Sequence, residues 1–410
     1  VKWIDNWRNN PGKDPRPPMI NLFTYTAMMA LFIQVQVVVK RQTDNNFLVG
    51  LATTSFHLLY FISGLVFGRL GDFTKRRFII FSGCLIAAFG ALIMGLVDSY
   101  TIVIAGRALT GLGMGMLPGA LFASTFERKG SVGLLTALGS LGWAIGSFGA
   151  AWLGAKPLTF FLAASFLALP SLLGFSFRER PKRPETAFLS LGVLKRHWAI
   201  FLGFFLRHAG AMSIWVTFTL FLKDMGADRT FIPGVDFFNL IGLIYAINPL
   251  AQVFFMLVIE KVKPRISLAG GYILSAVVFF GYVAVAWLCK AGFLKVPYLL
   301  IPLQVMLAFT WAALYLGSLI YLNRRCSEER STISGAFNAV TGLCGITGSL
   351  IGGLLSSINW STVLAGKIVV LNYEISMFTA GILSLVGLVV VFFGERKIFA
   401  SRDRIYTPNH

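Results

Sequence analysis

The stretch "GRLGDFTKRR", residues 68–77, links two apolar runs, 47–69 and 78–97. It carries Arg69, Lys75, Arg76 and Arg77 around one acid, Asp72. Each flanking run is long enough to cross a bilayer core of about 30 Å as a helix. A charged link this short between two such runs reads as a turn at a membrane surface.

The same alternation extends along the whole chain. Twelve spans are expected, at 19–39, 47–69, 78–97, 101–125, 131–153, 157–177, 198–222, 237–259, 266–288, 297–322, 332–356 and 374–394. Composition agrees. Of 410 residues 56% are hydrophobic and only 13% charged, with a mean hydropathy of +0.74, against roughly 25% charged in soluble domains. The fold class is therefore an all-α polytopic membrane protein without an appended soluble domain. Cys84, Cys289, Cys326 and Cys344 are scattered, so neither a disulfide framework nor a metal site is indicated, and no cofactor is expected. The run that begins at Met19 is too long for a signal-peptide core and reads as a retained first helix.

The connections are short except for "RERPKRPETAFLSLGVLKRH", 178–197. This linker divides the chain into a six-helix set at 19–177 and another at 198–394, with tails at 1–18 and 395–410. Of the 36 Lys and Arg, 26 fall in the tails, the linker and the links on their side, and 8 in the opposite links. That asymmetry places both termini and the linker in the cytoplasm. It explains the net charge of +19 as a basic face against anionic headgroups, with no nucleic-acid partner. Small size and short links point to a prokaryotic inner (plasma) membrane; a monomer is the expected state.

An internal repeat connects the two sets. "ERKGSVGLLTALGSLGWAIGSFGAAWL" at 127–153 aligns without gaps with "ERSTISGAFNAVTGLCGITGSLIGGLL" at 329–355, with eight identities in 27 positions. The charged start, Glu127–Arg128 against Glu329–Arg330, keeps register with Gly133/Gly335 and Gly146/Gly348. A duplicated six-plus-six bundle is a transporter architecture.

The 68–77 link also resembles the signature loop of the major facilitator superfamily. Gly68, Asp72, Arg76 and Arg77 match it, while Phe73 stands where a base is usual and Lys75 where a glycine is usual. The second set keeps a trace in "MLVIEKVKPR", 256–265, where Glu260 and Lys261 take the acid and base positions. "GRALTGLGMGMLPGA", 106–120, resembles the family's fourth-helix motif through Arg107, Gly111, Gly113 and Gly115. "GSLGWAIGSFGAAWLG", 139–154, is similar to the glycine-rich fifth-helix motif of drug/proton antiporters, with Ser147 where proline is usual. The resemblance implies two six-helix bundles, a cavity lined by the first, fourth, seventh and tenth spans, and a role for Arg107 in coupling or substrate binding. Asp72, at a helix end, can latch one conformation through cationic groups or a neighbouring helix N-terminus. Anchoring of the basic turn at headgroups is the alternative, as close packing is for the glycines.

Deep charges single out the candidate site. Arg207 and His208 interrupt "FFLRHAGAMSIW", 204–215, about 15 Å into the seventh span. Arg107 and His57 are also deep. Gln34 and Gln36 on the first span, Asn248 on the eighth, and Gln304, Trp311 and Tyr315 on the tenth add polar and aromatic groups. All 17 acids lie in tails, links or span ends, so neither arginine has an obvious intramembrane carboxylate. Guanidinium matches the paired oxygens of carboxylate or phosphate, and histidine titrates near neutral pH.

The expectation is a secondary transporter of a small organic anion, held by Arg207 with Arg107 contributing charge, and coupled to a proton through His208. The competing expectation is a proton-coupled drug or sugar exporter in which the arginines are structural and Arg207 snorkels to the interface. For His57 a hydrogen-bonded interior role, and for Trp311 and Tyr315 simple packing, are the alternatives. HExxH, GxSxG and paired deep carboxylates are all missing from the sequence, so an enzyme is not expected.

Overall fold

The computed structural model describes residues 14–42, 46–154, 157–176, 184–185, 192–225, 240–294, 297–356, 360–364, 367–371 and 373–395. Most of the two tails and of the 178–197 linker lie outside these residues, as does the Gln36 side chain.

The chain forms two compact units, Val1–Arg196 with Leu319–Leu343, and His197–Ser318 with Cys344–His410. The first contains α1 (Arg16–Gln42), α2 (Asn46–Phe73), α3 (Arg76–Leu96), α4 (Tyr100–Glu127), α5 (Val132–Leu153), α6 (Pro157–Phe175) and the helical turn α7 (Gly192–Arg196). The second contains α8 (Trp198–Trp215), α9 (Phe218–Asp224), α10 (Leu240–Ile259) and α11 (Pro264–Lys290). α12 (Leu300–Arg325) and α13 (Arg330–Ser356) each contribute one end to either unit, and α14 (Glu374–Gly394) completes the second.

Helix is the required answer to these runs, because in hydrocarbon every backbone polar group must be satisfied within its own segment. Among the described residues, ten helices are long and apolar enough to span a membrane. The two remaining expected spans differ. The seventh is divided at Val216 and Thr217 into α8 and α9, where the Thr217 backbone leaves helical geometry at φ −114° and ψ 2°. The eighth is described from Leu240, with its apolar stretch at Leu243–Ile259. The first helix starts at Arg16, earlier than expected. Between α13 and α14 the chain forms an antiparallel hairpin, β1 (Trp360–Leu364) with β2 (Lys367–Leu371), pairing Trp360 with Leu371 and Leu364 with Lys367. Thr362, Val363, Ile368, Val369 and Val370 suit a strand.

Inside the first unit α1 packs on α5 and α6, α2 on α4, and α3 on α4 and α6; inside the second, α14 packs on α8 and α11. Outer faces carry exposed apolar side chains at helical spacing, such as Leu58, Ile62 and Val66 on α2 and Phe378, Ile382 and Leu385 on α14. These faces suit lipid, not water. The glycines of α4 bring backbones together: a Cβ on Gly83 of α3 would lie 2.9 Å from the Gly113 carbonyl oxygen. The repeat has a packing counterpart. Gly146 of α5 abuts the Thr26 carbonyl of α1, and its aligned partner Gly348 of α13 abuts the Ala209 carbonyl of α8.

Candidate functional site

The 68–77 link builds a buried ionic network within the first unit. Asp72 ends α2, and its carboxylate accepts from the first backbone amides of α13. Ser331 N donates to Oδ1 at 2.9 Å, and Thr332 N and Oγ1 donate to Oδ2 at 2.8 and 2.5 Å. An anion on a helix N-terminus satisfies amides that have no partner within the helix and complements the dipole. Arg76 Nη2 lies 3.6 Å from Asp72 Oδ1, and Arg76 grips Glu127 through Nη1 at 2.6 Å and Nη2 at 2.8 Å. Arg69 pairs with Glu329 and donates to Thr332 Oγ1 at 3.3 Å. The approach is close because Gly68 meets Gly335: a Cβ on Gly68 would lie 2.9 Å from the Gly335 Cα.

Of the expected latch residues, Gly68, Asp72 and Arg76 thus come together. Arg77 does not join them; its guanidinium lies over the rings of Phe78 and Phe175, 4.7 and 5.6 Å from their centroids. Glu260 and Lys261 sit in the turn that follows α10, in the second unit. Arg69, Glu127, Glu329, Ser331 and Thr332 are additions. The signal for two of them was in the repeat, since its aligned acids Glu127 and Glu329 each bind an arginine of the same link.

The deep arginines differ from one another. Arg207 on α8 is 2% exposed and does not snorkel. Its Nε donates to Ser275 Oγ on α11 and its Nη2 to Thr310 Oγ1 on α12, both at 2.9 Å. Each hydroxyl spends its own hydrogen on its helix, Ser275 to the Gly271 carbonyl and Thr310 to that of Leu307. Their lone pairs are therefore free to accept. The cation also lies 5.4 Å from the Phe279 centroid. Arg107 on α4 is 1% exposed and sits 4.4 Å from the Phe56 centroid, while its Nε and Nη1 are buried without a hydrogen-bond partner. His57, next to Phe56, likewise has a buried Nε2 without a partner. Among the described residues neither arginine makes an ion pair.

His208 packs against Trp311 with the rings tilted by 39° and their centroids 4.7 Å apart, and Trp311 stacks on Tyr315 at 4.9 Å and 14°. Asn248 donates to Gln304. Gln34 donates to the Ala150 carbonyl at 2.5 Å and ties α1 to α5.

The Major Facilitator Superfamily model matches residues 19–294, more than half of the chain, and the chain belongs to that family. It is an integral membrane protein with the fold of a transporter. No curated protein sequence matches significantly. Solved structures with a similar fold include the human organic anion transporter MFSD10 (TETRAN), at 13% identity and a TM-score of 0.68 over 92% of this chain and 100% of that one. The transporter FucP in its outward conformation aligns at 16% identity and 0.64, over 93% and 99%. The nucleoside transporter NupG aligns at 11% and 0.60, over 94% and 99%. At these identities the likeness is one of fold.

Proposed function

We propose that the protein is a secondary active transporter of a small organic anion, working by alternating access. The carrying observation is Arg107, a buried guanidinium with two donors unpaired and, among the described residues, no carboxylate paired with it. An arginine in the membrane interior is unfavourable by about 2.5–3.5 kcal/mol or more, and an anionic ligand supplies both the missing charge and the missing acceptors. Arg207 adds positive charge in the second unit from a fixed position. His208, packed against Trp311, is the candidate for proton coupling, and His57 for a contact beside Arg107. The Asp72 network serves as the latch, formed in one conformation and released in the other. The excess of Lys and Arg supports both termini on the cytoplasmic side of an inner membrane, and a monomer suffices for this mechanism.

A second reading, a proton-coupled drug or sugar exporter, draws support from Arg207, whose bonds to Ser275 and Thr310 are those of a structural residue.

Thermal shift of purified protein separates the two. A ligand that binds only the folded state at a hundredfold excess over its Kd stabilises by about 2.7 kcal/mol. Benzoate or lactate is expected to raise the melting point of the wild type, and Arg107→Gln to abolish the rise. Equal stabilisation of both proteins by neutral sugars or cationic drugs, with none by anions, would put the exporter first.

A further inference from the structure

A chain of side-chain amides in the second unit ends on a buried donor. Asn248 Nδ2 on α10 donates to the backbone carbonyl of Gln304 on α12 at 3.2 Å, and to Gln304 Oε1 at 3.0 Å. A backbone carbonyl only accepts, so Asn248 is held with its nitrogen toward α12. Its oxygen then faces the other way, and Gln252 Nε2, one turn along α10, donates to it at 2.5 Å. Gln304 must accept from Asn248 through Oε1, which leaves Nε2 turned away from Asn248. That nitrogen is buried without a hydrogen-bond partner, and Gln304 is 0% exposed. The polarity of the whole chain, set at one carbonyl, therefore delivers an unspent amide donor in the apolar interior, where an unpaired N–H is most unfavourable.

The donor belongs to a larger surface. Gln304, Trp311 and Tyr315 fall at i, i+7 and i+11 and so share one face of α12, with about 10 Å between the first two along the axis. Trp311 and His208 are half-buried. One end of this face offers an N–H donor and the other offers rings.

We infer that Gln304 Nε2 is a specificity-determining donor, taking an uncharged oxygen (carbonyl, hydroxyl or ether) of a transported molecule whose ring or apolar body lies along Trp311. The inference rests on the transporter reading but is independent of the substrate's charge. Ordered water is the other source of an acceptor oxygen.

The test measures binding of two probe pairs matched in shape. The charged pair is 4-acetylbenzoate and 4-isopropylbenzoate; the uncharged pair is 4-methylacetophenone and 4-isopropyltoluene, in which the acetyl carbonyl is the sole oxygen. In the wild type the acetyl member is expected to bind about tenfold or more tightly, the free-energy scale of one well-made hydrogen bond. Gln304→Leu is expected to erase that preference while melting no lower than the wild type without ligand, because Asn248 keeps its backbone acceptor. A wild type with no acetyl preference, through equal binding or none, overturns the inference. So does a Gln304→Leu protein that keeps the preference. A Gln304→Leu protein that melts markedly lower, with no acetyl preference in the wild type, assigns the donor to structural water. Equal binding of the charged and uncharged acetyl probes, with the acetyl preference intact, would count against the anion reading alone.

Discussion

Asp72→Ala is expected to unfasten α2 from the start of α13. The carboxylate holds two backbone amides and one hydroxyl of that first turn and stands 3.6 Å from Arg76. Removing a helix cap costs about 0.5–2 kcal/mol. Here the loss also leaves Ser331 and Thr332 amides buried without an acceptor, a further penalty of about 1–3 kcal/mol for each group. Hydrogen exchange of the Ser331–Gly335 amides should accelerate strongly, the melting point should fall, and uptake of any anion that stabilises the wild type should be lost. Asp72→Asn keeps one acceptor oxygen and should fall between the two. If exchange at Ser331 and Thr332 is unchanged in Asp72→Ala, the carboxylate is not what holds this helix end, and the latch must lie elsewhere. Arg76→Ala offers an internal comparison, since it removes the Glu127 pair while leaving the cap in place.

Gly335→Val is expected to be the most damaging substitution on α13. A Cβ at this position would stand 2.6 Å from both the Gly64 carbonyl oxygen and the Gly68 Cα. Both are backbone atoms of α2, so no side chain can rotate aside, and the helices must separate by roughly an ångström or more to regain van der Waals distance. Overpacking typically costs about 1–3 kcal/mol; here separation would also stretch the Asp72 cap and the Arg69–Glu329 pair. The expected readout is a sharply lowered melting point and poor recovery of folded protein. Gly353→Ala on the same helix is the control, because nothing lies within 4 Å of its Cβ position, and helix propensity predicts a neutral or slightly favourable change. Equal melting of the two variants would contradict the close approach of α2 and α13.

The two arginines show where sequence reasoning stopped. That Arg207 and Arg107 are deep and lack acids was legible, because span positions and acid positions can be read directly from the chain. That Arg207 is engaged by Ser275 and Thr310 while Arg107 keeps two open donors was not legible. Serine and threonine are ordinary in membrane helices, and nothing in their own segments marks them as partners of a residue 68 or 103 positions away. Asp72 was more readable. Its position at a helix end restricted its partners to cations or a helix N-terminus, and the aligned acids Glu127 and Glu329 hinted at the arginines they bind. Arg77 had the motif's spacing but not its contacts, since the helical rotation from Arg76 carries it onto the aromatic rings of Phe78 and Phe175.

Local chemistry thus determined the class of this protein from sequence alone. A bilayer forces each apolar run to satisfy its own backbone, so length, hydropathy and the placing of Lys and Arg need no knowledge of neighbours. The helix start capped by Asp72 and the open donors on Arg107 and Gln304 were decided only by tertiary structure. Each depends on which faces of separate helices meet, and a hydrogen bond exists only where two groups from distant parts of the chain arrive at the right distance and angle.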